Sequence, residues 1–256
     1  MKSYQQTAEL LESLKLKGIA AHLDELITDA ERQKHSYISF VNALFQTEIS
    51  DRTTRRLRRN LSAAHFPIEK RLEDFQFGRV TGIGKSEVAN LSDCSWIDRR
   101  ENLLFFGPPG VGKTHLAIGL GLTAIDRGYT VCFERVNSLM RLLRTAQVQR
   151  TSEFRLRRIL KSNLLIIDEI GYTPIDRKEA NHFFSLVSEL YEKSSVVITS
   201  NKSFDAWAEM LGDEVMTTAM LDRLLHHARI FTLDGDSYRL RDNAKEKEET
   251  DHPQQP

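Results

Sequence analysis

The sequence predicts an α/β fold: a five-stranded parallel sheet covered by helices, preceded by a small all-helical domain. From about Trp96 to Arg241, short apolar runs alternate with helix-patterned stretches, which is the signature of a doubly wound parallel sheet. Ahead of them, from about Thr7 to Leu72, apolar residues recur at helical spacing with no β-rich run between them. A glycine-rich turn separates the first apolar strand from the helix that follows it, at the place where such sheets bind their ligands.

The leading zone carries Leu10, Leu11 and Leu14, then Leu23, Leu26 and Ile27, then Val41, Leu44, Phe45 and Ile49. This spacing predicts a helical domain over residues 1–74. Phe75 to Ser95 is irregular and holds Gly78, Gly82 and Gly84, so a linker packing onto the next domain is expected over 75–95. The strands expected within 96–241 are Leu103–Phe106, Thr130–Glu134, Leu164–Asp168, Val196–Ser200 and Ile230–Leu233. Residues 242–256 are charged and end His-Pro-Gln-Gln-Pro; a segment that cannot bury apolar surface is expected to be disordered.

Composition sets outer bounds. The chain has 256 residues, 40% hydrophobic and 28% charged, ordinary values for a globular protein. Basic and acidic side chains number 36 each, so net charge does not point to a polyanionic partner, and only the distribution of charge can. Cys94 and Cys132 lie far apart without metal-ligand spacing, the pattern of reduced packing residues in a cytosolic protein. No apolar run approaches the ~20 residues of a membrane span, and the first residues lack the apolar core of a signal peptide. A cytoplasmic protein with no membrane partner is expected.

Residues 107–114 read Gly-Pro-Pro-Gly-Val-Gly-Lys-Thr and satisfy the phosphate-loop pattern in full. Average residue usage produces such a match in only about 1% of chains this long. The loop follows Leu103-Leu104-Phe105-Phe106 and precedes the helix-patterned His115 to Asp126, the strand–loop–helix context the motif requires. Gly107, Gly110 and Gly112 allow the backbone to turn its N–H groups inward, with Pro108, Pro109 and Val111 between them and His115 opening the helix. Lys113 is placed for the β- and γ-phosphates and the Thr114 hydroxyl for Mg²⁺. ATP with Mg²⁺ is the expected ligand. A second cluster, Gly82-Ile83-Gly84-Lys85-Ser86, has Arg79 where the first glycine belongs and no apolar strand before it. It reads as a loop.

The strand Leu164-Leu165-Ile166-Ile167 ends in Asp168 and Glu169. Downstream of a complete phosphate loop, Asp168 suits the metal and Glu169 suits polarisation of an attacking water. Asn201 follows the buried strand Val196–Ser200; it is a γ-phosphate or water contact, or an ordinary strand-end residue. Arg223 lies on a helix before the last strand; it is a solvated charge, or a group that reaches a neighbouring subunit's nucleotide. Two basic clusters could meet DNA phosphates. Arg52, Arg55, Arg56 and Arg59 share one helical face, although Glu48 and Asp51 are spaced to pair with Arg52 and Arg55 instead. Arg141, Arg144, Arg150 and Arg155 belong to a second group between the second and third strands, whose other reading is interface salt bridges. Neither cluster has aromatic residues for stacking unpaired bases, which favours duplex backbone binding.

Taken together these elements resemble the AAA+ ATPases, and within them the group of the helicase loader DnaC and the transposition helper IstB. The likeness is closest to the IstB-like insertion-sequence ATP-binding proteins. It is carried by Asn102 to Ala117 around the phosphate loop, by Ile167-Asp168-Glu169-Ile170-Gly171-Tyr172, by Thr199-Ser200-Asn201, by Ala219-Met220-Leu221-Asp222-Arg223-Leu224-Leu225-His226-His227 and by Gly235 to Arg241. Glu48 followed by arginines fits the same family. The resemblance implies an ATPase whose first sensor residue is Asn201 and whose arginine finger, acting in trans, is Arg223. It further implies homo-oligomers with nucleotide at subunit interfaces, a region from Arg141 to Lys161 facing a central channel, duplex DNA as ligand, and the transposase of the same element as partner. The short stretch after the last strand leaves no room for the usual helical lid, a departure from AAA+ proteins in general. The alternative is a helicase loader that docks its helical domain on a replicative helicase. A small-metabolite kinase would leave the Leu221-Asp222-Arg223 segment and the helical domain without a purpose.

Overall fold

The computed structural model describes residues 2–171 and 175–237. The chain divides into two compact units, Met1–Arg59 and Asn60–Pro256, and the division falls within a long helix. The first unit holds α1 (Lys2–Ser13), α2 (Lys17–Gln33) and most of α3 (Tyr37–Ala64). Its organising group is Glu48. Leu16 at the start of α2 supplies no capping side chain, so the first amides of that helix need another acceptor. Glu48 Oε2 accepts from Gly18 N at 2.7 Å and Ile19 N at 3.1 Å, while Arg52 Nε donates to Oε1 at 2.6 Å. A side chain at position 18 would meet Asp51 Cβ at 2.7 Å, so α2 and α3 approach this closely only over a glycine. Burial pushes the Glu48 carboxyl up, but the hydrogen bonds from Arg52, Ile19 and Gly18 outweigh it and hold the group below the ordinary glutamate value.

In the second unit, two 3₁₀ turns (Leu72–Asp74 and Phe77–Arg79) lead to β1 (Val80–Thr81), α4 (Lys85–Leu91) and α5 (Ser95–Asp98). The stretch read as irregular is thus more ordered than its glycines suggested. Gly84 starts α4, and the Glu87 side chain accepts from Gly84 N at 3.1 Å to cap it, so Lys85 and Ser86 belong to a helix rather than a loop. Val88, Leu91, Cys94, Trp96 and Ile97 are buried here. Burial raises the Cys94 thiol to about 11, leaving it an inert packing group.

The sheet follows: β2 (Asn102–Phe106), α6 (Lys113–Asp126), β3 (Val131–Arg135), α7 (Val136–Thr145), α8 (Arg150–Ile159), β4 (Leu164–Ile170), α9 (Arg177–Leu190), β5 (Ser195–Ser200), α10 (Phe204–Leu211), α11 (Glu214–Leu225) and β6 (Ala228–Thr232). The strand order is β3-β4-β5-β2-β6 and every pair is parallel, as the alternation of strands and helices predicted. A final strand, β7 (Asp234–Gly235), pairs antiparallel with β1. β2 and β5 are buried along their whole length, which explains their apolar centres, Leu103–Phe106 and Val196–Ile198. One irregularity matters for chemistry. The β4–β5 register slips between Ile167 and Ile170, a bulge that brackets the two acidic residues. Residues 242–256, expected to be disordered, and the stretch from Tyr238 to Arg241 lie outside the described residues.

Candidate functional site

The site is built at the carboxyl ends of β2, β4 and β5, on the loop between β2 and α6. Gly107, Gly110 and Gly112 have φ of 143, 88 and 99°, left-handed or beyond, where a Cβ is strained. Space demands glycine as well: a Cβ at Gly107 would sit 2.1 Å from Leu233 O, and one at Gly112 would sit 2.6 Å from the Phe75 ring. Val111 anchors the loop in the core and the Pro108 and Pro109 rings stay exposed. Lys113, at the start of α6, is buried, and its Nζ donates to Gly107 O and Pro108 O at 2.7 Å each. The ammonium therefore lies across the loop.

Opposite the loop, Asp168 is almost fully buried. Its Oδ1 accepts from Thr114 Oγ1 at 2.8 Å and Thr199 Oγ1 at 2.6 Å, while its Oδ2 has no hydrogen-bond partner. A buried carboxylate oxygen left without a partner is costly and is the donor a hard cation takes. The Thr114 hydroxyl donates its hydrogen bond to Asp168 and keeps its lone pairs free, so the pair fits Mg²⁺.

The bulge sets the second carboxylate. Glu169 has φ of 65°, a conformation costing a residue with a Cβ about 1–2 kcal/mol, and its N–H donates to Thr199 Oγ1 at 3.0 Å. One hydroxyl thus fixes both acids: it donates to Asp168 and accepts from Glu169. The bulge brings the Glu169 side chain to the wall of a cavity of about 210 Å³, with Arg135 Nε 3.9 Å from its Oε2. Pro109, Gly110, Gly112, Lys113, Thr114, His115, Thr199, Ser200 and Asn201 line the same cavity. Asn201 Oδ1 is buried without a partner, which leaves an amide facing the cavity to be satisfied by a ligand or water. Gly171, with φ of 112°, leaves room for that amide; a Cβ there would meet Asn201 Oδ1 at 2.8 Å.

The remaining wall comes from Lys70, Asp74 and Gln76, outside every motif. His115 Nε2 lies 2.7 Å from Arg71 O and its ring meets Phe75 edge-on at 5.3 Å, tying this segment to α6. Sequence reasoning missed these three residues and assigned no role to Gly171, Thr199 and Ser200, although all three lie in the stretches that carry the family resemblance.

Arg223 is absent from the described lining of this cavity. In the last turn of α11 it is half-buried, with Nη1 donating to Ala219 O at 3.0 Å and its guanidinium 4.8 Å from the Phe184 ring. The basic clusters divide. Arg52 and Arg55 pair with Glu48 and Asp51, whereas Arg56 and Arg59 are exposed and make no ion pair among the described residues. Arg141 is exposed on α7, Arg144 lies 3.5 Å from Glu179, and Arg150 sits 5.5 Å from the ring centre of Phe154, an exposed aromatic inside this cluster, contrary to the expectation that neither cluster holds one. Arg155 is committed elsewhere: its Nε and Nη2 grip both oxygens of buried Glu134 at 2.6 and 2.7 Å. Burial raises the Glu134 carboxyl, against the pull of Arg155. Among the described residues no helix is long and apolar enough to cross a membrane.

Residues 9–246 match the family model described as IstB-like ATP binding protein. The chain is 41% identical over 236 residues to the ATP-binding protein of insertion sequence IS21 from Pseudomonas aeruginosa, covering 92% of this chain and 89% of that one. It is 39% identical over 240 residues to the corresponding IS5376 protein of Geobacillus stearothermophilus, covering 94% and 96%. Among solved structures, DnaI aligns with a TM-score of 0.55 at 19% identity over 64% of this chain and 91% of its own. AMPPCP-bound DnaA from Aquifex aeolicus aligns at 0.51 and 18%, over 74% and 58%. At those identities the structural likeness shows a shared fold alone.

Proposed function

The chain belongs to the IstB-like ATP-binding proteins of insertion sequences, and from that premise we propose that it is an ATPase which assembles on duplex DNA with ATP, deforms the DNA, presents it to the transposase of the same element, and disassembles on hydrolysis. The observation that carries the hydrolytic part is the pair of acids held by one hydroxyl: Asp168 with an unpartnered buried oxygen, and Glu169 turned by a bulge to the cavity wall.

The residues take distinct roles in this reading. Backbone N–H groups of Gly110 to His115 hold the phosphates, and Lys113 leaves the loop carbonyls for the β- and γ-phosphate oxygens. Thr114 and Asp168 hold Mg²⁺, which when bound draws negative charge off those oxygens. Glu169 accepts a proton from the attacking water as its oxygen bonds to the γ-phosphorus and the bond to the bridging oxygen breaks, giving ADP and phosphate. Asn201 orients that water. Arg223, which does not line its own subunit's cavity, stabilises the developing charge in the neighbouring subunit's site, so turnover depends on assembly. Duplex phosphates are met by Arg56, Arg59, Arg141, Arg144 and Arg150, with binding that weakens steeply as salt rises.

Glu169→Gln tests the hydrolytic assignment. The variant should bind ATP as the parent does, and its turnover should fall at least about 100-fold, at the low end of the general-base contribution. Parental turnover would remove Glu169 from the reaction. The helicase-loader reading shares this ATPase core and is separated from ours by whether the chain assembles on duplex DNA in ATP.

A further inference from the structure

Outside the phosphate site, a second group of ligating side chains stands together. Glu192 follows α9, and His226 and His227 follow α11. One ligand atom from each lies within 4.8 Å of the other two, and all three side chains are exposed. The geometry points to a binding site for a late first-row divalent cation, Zn²⁺ being the natural occupant, held by Glu192, His226 and His227 with its remaining position open to water.

The donor set is the first reason. Two imidazoles and one carboxylate suit Zn²⁺ and its neighbours, whereas Mg²⁺ and Ca²⁺ prefer oxygen alone. The second reason is a supporting contact of the kind such sites use. Tyr191 Oη lies 3.0 Å from His226 Nδ1. With Nδ1–H donating to that hydroxyl, the His226 tautomer is fixed and its Nε2 lone pair is left for the cation. The third is covalent placement. His226 and His227 are neighbours at the end of one helix, with ring centres 4.1 Å apart, and Glu192 comes from a separate element. The cation would therefore clip α11 to the turn after α9.

The position gives the site a consequence that rests on the proposed role of Arg223. Arg223 precedes His226 and His227 by one helical turn, and Arg223, Glu192 and His227 line one small cavity. A bound cation would draw the Glu192 carboxylate to itself and restrain the end of the helix that carries the finger. Turnover of the assembled protein should then respond to Zn²⁺ while ATP binding by the monomer does not.

The test is metal binding by the full chain without an affinity tag and without nucleotide, after chelator treatment. It is followed by Zn²⁺ titration calorimetry and by the visible absorption of Co²⁺ as a substitute. One equivalent per chain is expected, with Co²⁺ bands of a nitrogen–oxygen site. His226→Ala, His227→Ala and Glu192→Gln should each weaken binding at least about tenfold, and Tyr191→Phe by about tenfold through the lost orienting contact. His35→Ala, a histidine elsewhere on the surface, should change nothing. Circular dichroism of each variant separates lost ligands from lost fold. The proposal is overturned if the parent binds no Zn²⁺, or if it binds an equivalent that the folded His226, His227 and Glu192 variants retain. Because the readout is metal binding, it stands or falls apart from the ATPase reading. Failure of the Zn²⁺ effect on turnover alone would remove only the link to Arg223.

Discussion

Replacing Thr199 by Val keeps the shape of a buried strand residue and removes one hydroxyl, so it isolates what that hydroxyl does. Thr199 is 1% exposed, donates to Asp168 Oδ1 at 2.6 Å and accepts from Glu169 N at 3.0 Å. Losing a hydrogen bond to a charged carboxylate costs about 1.5–3 kcal/mol, and an unsatisfied buried N–H costs about 1–3 kcal/mol. The two share one hydroxyl and Glu169 N is only partly buried, so the sum is not fully realised; we expect about 3 kcal/mol. With a urea dependence of about 2 kcal/mol per molar, the unfolding midpoint should fall by about 1.5 M. Trp96 and Trp207 are both fully buried in the Asn60–Pro256 unit, so tryptophan fluorescence reports on this unit. Turnover should fall by about 100-fold, the effect of misplacing a reacting group by about 1 Å, while ATP affinity stays within a few fold because the phosphate loop is untouched. Thr199→Ser, which keeps the hydroxyl, should recover most of both losses. A Val variant with parental midpoint and turnover would refute the claim that one hydroxyl sets both acids.

Arg223→Ala should abolish turnover and leave ATP binding by the monomer within about twofold, and normal turnover in that variant removes the trans assignment. Glu48→Gln should destabilise the helical unit by about 2 kcal/mol, since two helix-end amides and Arg52 lose a charged partner, measured as a loss of helical circular dichroism on heating. The folded Glu48 pKa is depressed, so its contribution is present above the unfolded value near 4.5, is lost as pH falls through the lower folded value, and should be missing from the variant's acid-unfolding profile. Arg155→Ala should cost about 3 kcal/mol by stranding buried Glu134. Because the Glu134 carboxyl is already raised, the variant should lose stability further as pH rises above about 4.5, read by urea unfolding between pH 5 and 8.

Much of this was legible in the sequence, for a physical reason. The phosphate loop is a local object: three glycines, a lysine and a threonine at fixed spacing, flanked by a strand and a helix, with each demand written within eight residues. The strands were visible because a parallel sheet buried on both faces needs unbroken apolar runs. Glu169 was singled out by its place after Asp168, but the bulge that brings it to the cavity was not legible, since the slip lies in the pairing of β4 with β5. Thr199, Gly171 and the wall of Lys70, Asp74 and Gln76 enter the site through contacts between segments remote in the chain. The basic clusters show the opposite failing. Helical spacing placed Arg52 with Arg56 and Arg59, yet Arg52 is drawn to a carboxylate that itself caps another helix, and Arg155 faces a buried acid on β3. Charge in a sequence does not reveal which charges are already spoken for.

Whether ATP builds this protein into an assembly on DNA is read by sedimentation velocity of the purified chain with plain duplex DNA, first in ATP and then in ADP. A large, fast-sedimenting complex of protein and duplex is expected in ATP and none in ADP. A chain that ignores duplex in both nucleotides would overturn the proposed function and turn the search toward a helicase as the partner of its helical domain.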